Sequence, residues 1–180
     1  MALGKVLPEF PPDLGAPIFI VQHMPSFFTQ PLAASLAAKS AIRVKEAEDG
    51  ETALSNCAYV AQGGRQMKIV PGSQGEIVVR IADDPPENNC RPSVDYLFRS
   101  AALNFPGRAV AAILTGMGND GTSGLKMLKR SGCSSIAQDE ATCVVFGMPR
   151  EAILAGVVDT VAPLENIAAT IVRCVREASA

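Results

Sequence analysis

Short apolar runs alternate with helical periodicities along this chain. Ile18-Phe19-Ile20-Val21 is uninterrupted and apolar, the pattern of a strand covered on both faces. A helix rich in Leu and Ala is predicted over residues 27–39, and extended segments near 42–46 and 58–61. Residues 67–70 and 76–81 flank Pro71-Gly72-Ser73-Gln74-Gly75 and read as a hairpin. The stretch from Asp83 to Pro92 holds three prolines and two asparagines, the composition of a surface loop. Ser93 is placed to cap a helix whose one face carries Val94, Leu97, Phe98, Ala101 and Ala102. A second buried strand is predicted over 109–114, then a helix over about 121–131 closed by Gly132. Next come a strand over 135–138, a short helix over 148–155 and a strand over 157–161. The last helix starts near Pro163, a favoured first-turn position. Its inward stripe is Leu164, Ile167, Ala168, Ile171, Val172 and Val175.

Such alternation predicts an α/β fold: a doubly wound, mostly parallel sheet with helices on both faces and one small antiparallel hairpin. Residues 1–180 read as one domain, without internal repeat or linker. With 48% apolar residues the chain has the material for a sizeable core. Sixteen basic against eighteen acidic residues give a net charge of −2, with no Lys/Arg run, which argues against a nucleic-acid partner. No apolar stretch reaches the roughly 18 residues needed for membrane insertion, and the start lacks a signal-peptide pattern. Five cysteines, an odd number without a CxxC pair, fit neither a disulfide framework nor a zinc ribbon. They place the protein in a reducing, cytoplasmic setting.

In sheets of this kind the chemistry lies at the carboxyl ends of the strands. Those ends carry Gln22-His23-Met24-Pro25, Thr115-Gly116-Met117-Gly118-Asn119-Asp120-Gly121, Gln138-Asp139-Glu140 and Gly147-Met148-Pro149. His23 is the single histidine, so any imidazole chemistry uses it. Each of these residues also has a purely structural reading. His23 would bond a nearby carbonyl, Asp120 would cap the helix that follows it, and Met24, Met117 and Met148 would fill core. Residues 116–121 also match G-x-G-x-x-G, and Asp139 follows Gly121 by eighteen positions, as in a dinucleotide-binding fingerprint. The negative charge of Asp120 inside that loop and its place in the second half of the chain weigh against this alternative. Ser26, Ser123, Cys90 and Cys143 are the internal nucleophile candidates, and no G-x-S-x-G elbow occurs.

Six ordered words decide the resemblance. They are Val21-Gln22-His23-Met24-Pro25, Val44-Lys45-Glu46-Ala47-Glu48-Asp49-Gly50-Glu51, Arg91-Pro92-Ser93-Val94-Asp95, Leu114 to Gly121, Gln138-Asp139-Glu140-Ala141-Thr142, and Val145-Phe146-Gly147-Met148-Pro149-Arg150-Glu151-Ala152. Together they resemble the catalytic domain of the chemotaxis protein-glutamate methylesterases, the CheB family. The resemblance implies hydrolysis of methyl esters on glutamate side chains of chemoreceptor cytoplasmic regions, and deamidation of receptor glutamines. It implies a Ser-His-Asp triad without metal or organic cofactor. By the same resemblance His23 takes the general-base position, Asp120 the position that orients it, and the Met117 backbone N–H that of the second oxyanion donor.

The chain departs from the family pattern in three places. Ala61-Gln62-Gly63-Gly64-Arg65-Gln66 replaces an Ala-Pro-Gly-Gly word with a nearby His, so that Gln66 stands where a second His is expected. No receiver domain is expected ahead of the esterase-like region. Met1-Ala2-Leu3 starts beyond the family's first strand and its Gly-Ala-Ser-Thr-Gly-Gly turn, which carries the nucleophile. The expectation is therefore an inactive chain with an apolar slot or unpaired strand edges, and with a tendency to self-associate as a homo-oligomer. A non-catalytic receptor-binding module is the alternative. His23 and Asp120 are expected within hydrogen-bond reach, 97 positions apart in the chain.

Overall fold

The computed structural model describes residues 1–178. In chain order its first half forms α1 (Leu3–Val6), a 3₁₀ turn (Leu7–Glu9), β1 (Ile18–Ile20), α2 (Ser26–Ala37), β2 (Arg43–Glu46), β3 (Cys57–Val60), β4 (Gln66–Pro71) and β5 (Ile77–Ala82). The second half forms α3 (Val94–Asn104), β6 (Val110–Ile113), α4 (Thr122–Arg130), β7 (Ser134–Gln138), α5 (Met148–Leu154), β8 (Thr160–Ala162) and α6 (Leu164–Ala178). The strands pair as two parallel half-sheets, in the orders β1-β3-β2 and β6-β7-β8, with β4-β5 as a separate antiparallel hairpin.

Alternate strand positions face opposite helical layers, as the two-residue period requires. Ile20, Ala58, Val60 and Ile136 join Val6, Leu7, Phe10, Leu36 and Ile167 in a core under α1, α2 and α6. Tyr59, Ala111 and Ile113 join Leu97, Leu125, Leu128 and Met148 in a core under α3, α4, α5 and the hairpin. Leu125 and Leu128 retain at most 1% exposure, and burying each contributes about 2 kcal/mol. Both cores draw side chains from both half-sheets. The outer edges of β1 and β6 have no ladder partner among the described residues.

One strand sits further on than predicted: the last one is 160–162 rather than 157–161. The reason is side-chain competition for the backbone. The Asp159 carboxylate accepts the Ser135 N–H at 2.9 Å and its hydroxyl at 2.8 Å, while the Val157 carbonyl accepts that same hydroxyl at 2.7 Å. Residues 157–159 are thus tied to the start of β7 through Ser135, and the ladder begins only at Thr160.

Helices α3 and α4 approach closely because Gly124 has no side chain. A Cβ there would stand 2.5 Å from Phe98 Cβ and 3.3 Å from the Asp95 Cα. Gly124→Ala is expected to cost about 1–3 kcal/mol through overpacking, with a matching fall in Tm by calorimetry. An unchanged Tm would mean that the α3–α4 contact yields freely.

Candidate active site

His23 lies on the turn between β1 and α2. The ladder of β3 runs on past β1, with the Ala61 N–H donating to the Ile20 carbonyl at 2.8 Å. The chain after β3 then crosses the start of α2 so closely that a Cβ on Gly63 would stand 2.7 Å from Ser26 backbone atoms. The Gly63 N–H also donates to Thr29 Oγ1 at 3.2 Å. This glycine contact fixes the turn that presents the imidazole. The His23 side chain is 30% exposed, and its Nε2 is 2.7 Å from Asp120 Oδ2.

Asp120 is 3% exposed and accepts five hydrogen bonds. Oδ2 takes His23 Nε2 and the Val94 N–H, both at 2.7 Å. Oδ1 takes the Ser93 hydroxyl at 2.7 Å, the Asp95 N–H at 3.0 Å and Asn88 Nδ2 at 3.2 Å. Burial alone would raise this carboxyl, but the bonds from His23, the Asp95 and Val94 amides and Ser93 outweigh it and hold it at about 2. An ionised carboxylate only accepts. The His23 proton therefore sits on Nε2, and Nδ1 presents a lone pair.

The structural role expected of Asp120 needs correction. The residue before α4 is Gly121 in the left-handed region, with φ of 94° and no side-chain cap. Asp120 instead serves the N-terminus of α3, through the Val94 and Asp95 amides. Asp95 returns the service: its Oδ1 accepts the Gly124 N–H at 2.6 Å, within the first turn of α4. Burial pushes the Asp95 carboxyl up, Asp120 adds like-charge repulsion, and the Gly124 and Asn88 bonds only partly offset this.

Met117 stands on the rim with 84% exposure, and its N–H has no acceptor among the described residues. The loop beneath it is pinned. The Gly116 N–H donates to the Val145 carbonyl at 3.1 Å, and the Gly116 carbonyl accepts the Gly147 and Met148 amides at 3.1 and 2.8 Å. A Cβ on Gly147 would stand 2.6 Å from that carbonyl, so glycine is required for the approach.

Of the internal nucleophile candidates, Ser26 opens α2 and Ser123 lies in α4. Neither hydroxyl bonds His23 among the described residues. Cys143 is half-buried in the loop after β7. Cys90 is different: its Sγ, a His23 ring nitrogen and an Asp120 oxygen all lie within 4.8 Å of one another, the donor set on hand for a metal ion. Gln66 is fully buried. It pins the loop before α3 by donating to the Pro85 and Cys90 carbonyls at 3.1 and 3.3 Å and accepting the Ser93 N–H at 2.8 Å.

The CheB methylesterase family model matches residues 1–171. The chain belongs to the CheB methylesterase family. It is 56% identical over 176 residues to the protein-glutamate methylesterase/protein-glutamine glutaminase of Desulfotalea psychrophila, covering 97% of this chain and 48% of that protein. The Bacillus subtilis protein of the same name is 48% identical over 177 residues, covering 98% of this chain and 49% of that one. The chain thus spans about half the length of these relatives. The crystal structure of the Thermotoga maritima CheB methylesterase catalytic domain matches with a TM-score of 0.93 at 39% identity, over 96% of this chain and 90% of that chain.

Around His23 and Asp120, this CheB-family chain uses Asn88, Ser93, Asp95 and Gln66, which sequence reasoning left without a site role. Their signals were faint. Ser93 read only as a helix cap, a role it also fills by accepting the Tyr96 N–H at 3.4 Å. Asn88 read only as loop, and Asp95 only as the last residue of a family word.

The depressed Asp120 carboxyl is a stability statement. The contribution is present above the unfolded value near 4 and is lost as pH falls towards about 2. Asp120→Asn is therefore expected to be less stable than the parent by about 2 kcal/mol or more at pH 6. In urea unfolding the gap is expected to close as pH falls from 4 to 2. A gap independent of pH would overturn this account of the carboxylate.

Proposed function

We propose that this chain is the hydrolytic unit of a cytoplasmic protein-glutamate methylesterase. Its substrates are the methyl esters of glutamate side chains on chemoreceptor cytoplasmic regions, with receptor glutamines as amide substrates. One observation carries the reading: the 2.7 Å His23–Asp120 contact, which leaves Nδ1 as a lone-pair base at the mouth of the site. The Met117 N–H, which has no acceptor among the described residues, supports it as a donor to the oxygen that becomes negative. The names of relatives at 48–56% identity supply the substrate class.

In this scheme a hydroxyl oxygen attacks the ester carbonyl while His23 Nδ1 takes its proton. The tetrahedral oxyanion accepts a hydrogen bond from the Met117 N–H. The C–O bond to the methoxy group then breaks, and the His23 proton leaves with methanol. Water, deprotonated by the same nitrogen, attacks the acyl intermediate; the bond to the nucleophile oxygen breaks, that oxygen takes the proton back from His23, and the glutamate carboxylate is released. Asp120 holds the imidazole in the required tautomer throughout.

No serine hydroxyl among the described residues bonds His23. We place the nucleophile where the family resemblance puts it, on a Gly-Ala-Ser-Thr-Gly-Gly turn at the end of a strand. The unpaired edges of β1 and β6 offer pairing for such a strand, and both point their following loops towards the site. The same open edges favour self-association of the 180-residue polypeptide alone.

Two measurements test this. The 180-residue polypeptide is expected to release methanol from methylated receptor only at a residual rate, while a chain extended by that strand and turn turns over. In the extended chain His23→Ala and Asp120→Asn are each expected to lower kcat about 10³-fold or more. An enzyme-like rate in the short chain that disappears in Ser26→Ala or Ser123→Ala would overturn the scheme. Receptor binding without turnover in the extended chain would identify a non-catalytic module instead. Sedimentation is expected to show the short polypeptide associating more than the extended one.

A further inference from the structure

The hydrolytic scheme gives Cys90 no task, yet its Sγ lies within 4.8 Å of both a His23 ring nitrogen and an Asp120 oxygen. The three side chains come from three separate segments: the turn after β1, the loop before α3 and the loop after β6. They offer nitrogen, sulfur and oxygen, the donor types that zinc-class cations take in fours with one position left to water. We propose that His23, Cys90 and Asp120 form a binding site for a divalent cation of the zinc class, and that the bound ion withdraws His23 from base catalysis.

Cys90 is a fixed part of the site rather than a surface thiol passing by. Its loop closes on itself, with the Glu87 N–H donating to the Cys90 carbonyl at 3.1 Å and the Cys90 N–H to the Glu87 carbonyl at 2.8 Å. Asn88 and Asn89 make the turn in the left-handed region, at φ of 52° and 58°. Asn88 Nδ2 donates to Asp95 at 2.6 Å and Asp120 at 3.2 Å. Arg99 grips Glu87 with two bonds of 2.5 and 2.7 Å. Gln66, fully buried, donates to the Cys90 carbonyl. The thiol is half-buried and the imidazole is 30% exposed, so an ion reaches them from solvent.

Charge and protons balance. A cysteine ligand binds as the thiolate, so binding transfers the Cys90 proton to solvent, and the thiolate and the Asp120 carboxylate then neutralise the dication. Metal bonds of about 2.0–2.3 Å at tetrahedral angles set the donors about 3.3–3.6 Å apart. The donors must therefore draw together from their 4.8 Å envelope, and Nε2, the nitrogen that faces Asp120, must ease away from its 2.7 Å contact with Oδ2. An ion on Nε2 forces the remaining ring proton onto Nδ1, the nitrogen that acts as the base.

Binding rests on donor geometry alone, and its effect on turnover rests also on His23 as the base. The test separates the two. Cobalt(II) titrated into the 180-residue chain is expected to give one equivalent of tetrahedral visible bands and a thiolate-to-cobalt charge-transfer band, both displaced by Zn²⁺. One proton is expected to be released per ion. Cys90→Ala and His23→Ala are each expected to weaken binding tenfold or more, while Cys143→Ser keeps it; thermal unfolding checks that each variant is folded. Absence of the charge-transfer band, or its persistence in Cys90→Ala, overturns the site. In the extended chain Zn²⁺ is expected to slow methanol release reversibly, each variant being compared with its own zinc-free rate. Stoichiometric binding without inhibition overturns the withdrawal of His23 while leaving the site, and inhibition undiminished in Cys90→Ala overturns both.

Discussion

A buried anion organises this molecule. The carboxylate of Asp120 is almost wholly removed from water, which is costly unless the charge is fully hydrogen-bonded. Here five donors from four separate places meet it: His23 after β1, Asn88 in the loop before α3, Ser93 at the cap, and the first two amides of α3. Two of those amides are free in any helix N-terminus and carry its partial positive charge. Helix α3 therefore gains a cap, the loop after β6 gains an anchor, and the imidazole gains a fixed partner from the same atoms.

Asp95 shows why two acids can stand so close. Both carboxyls lie at helix N-termini, Asp120 at α3 and Asp95 at α4, so each helix start is served by a residue of the other helix's neighbourhood. The environments then push them apart. Asp120, with five donors, is held at about 2, while Asp95, with fewer, is raised by burial and by its neighbour. That separation keeps the charge on the oxygen that faces His23. Gly124 is the geometric condition, since a side chain there would drive the two helices apart.

Much of this was legible in the residues. The apolar runs and helical stripes located the elements within a few positions, because most strands are short and bounded by Gly, Pro or Asn. His23 stood out as the single histidine at a strand end. Asp120 stood out by its place after another, although its own helix was the wrong one to credit: capping by an acid distant in sequence leaves no local pattern. The shift of the last strand to 160–162 comes from one carboxylate, Asp159, that binds Ser135 across 24 positions. Gln66 was legible as a departure from a family word and Cys90 as a nucleophile candidate, but their work is tertiary. Only the fold brings a hairpin residue beneath the loop before α3, and a thiol beside the imidazole.

The half-sheets give these polar contacts a second importance. Within a half-sheet, backbone ladders fix strand to strand. Between β1 and β6 no ladder exists among the described residues, and the junction is made by the two shared cores and, at the rim, by the His23–Asp120 contact. Hydrophobic packing is non-directional and tolerates sliding, whereas a short charge-assisted bond does not. The alignment of one half against the other is therefore most sharply set at the rim, where the base and its carboxylate belong to different halves. A strand pairing with both open edges would add directional bonds along the whole junction. It would turn an alignment held at one end into one held throughout, and site geometry and sheet closure would become a single cooperative event.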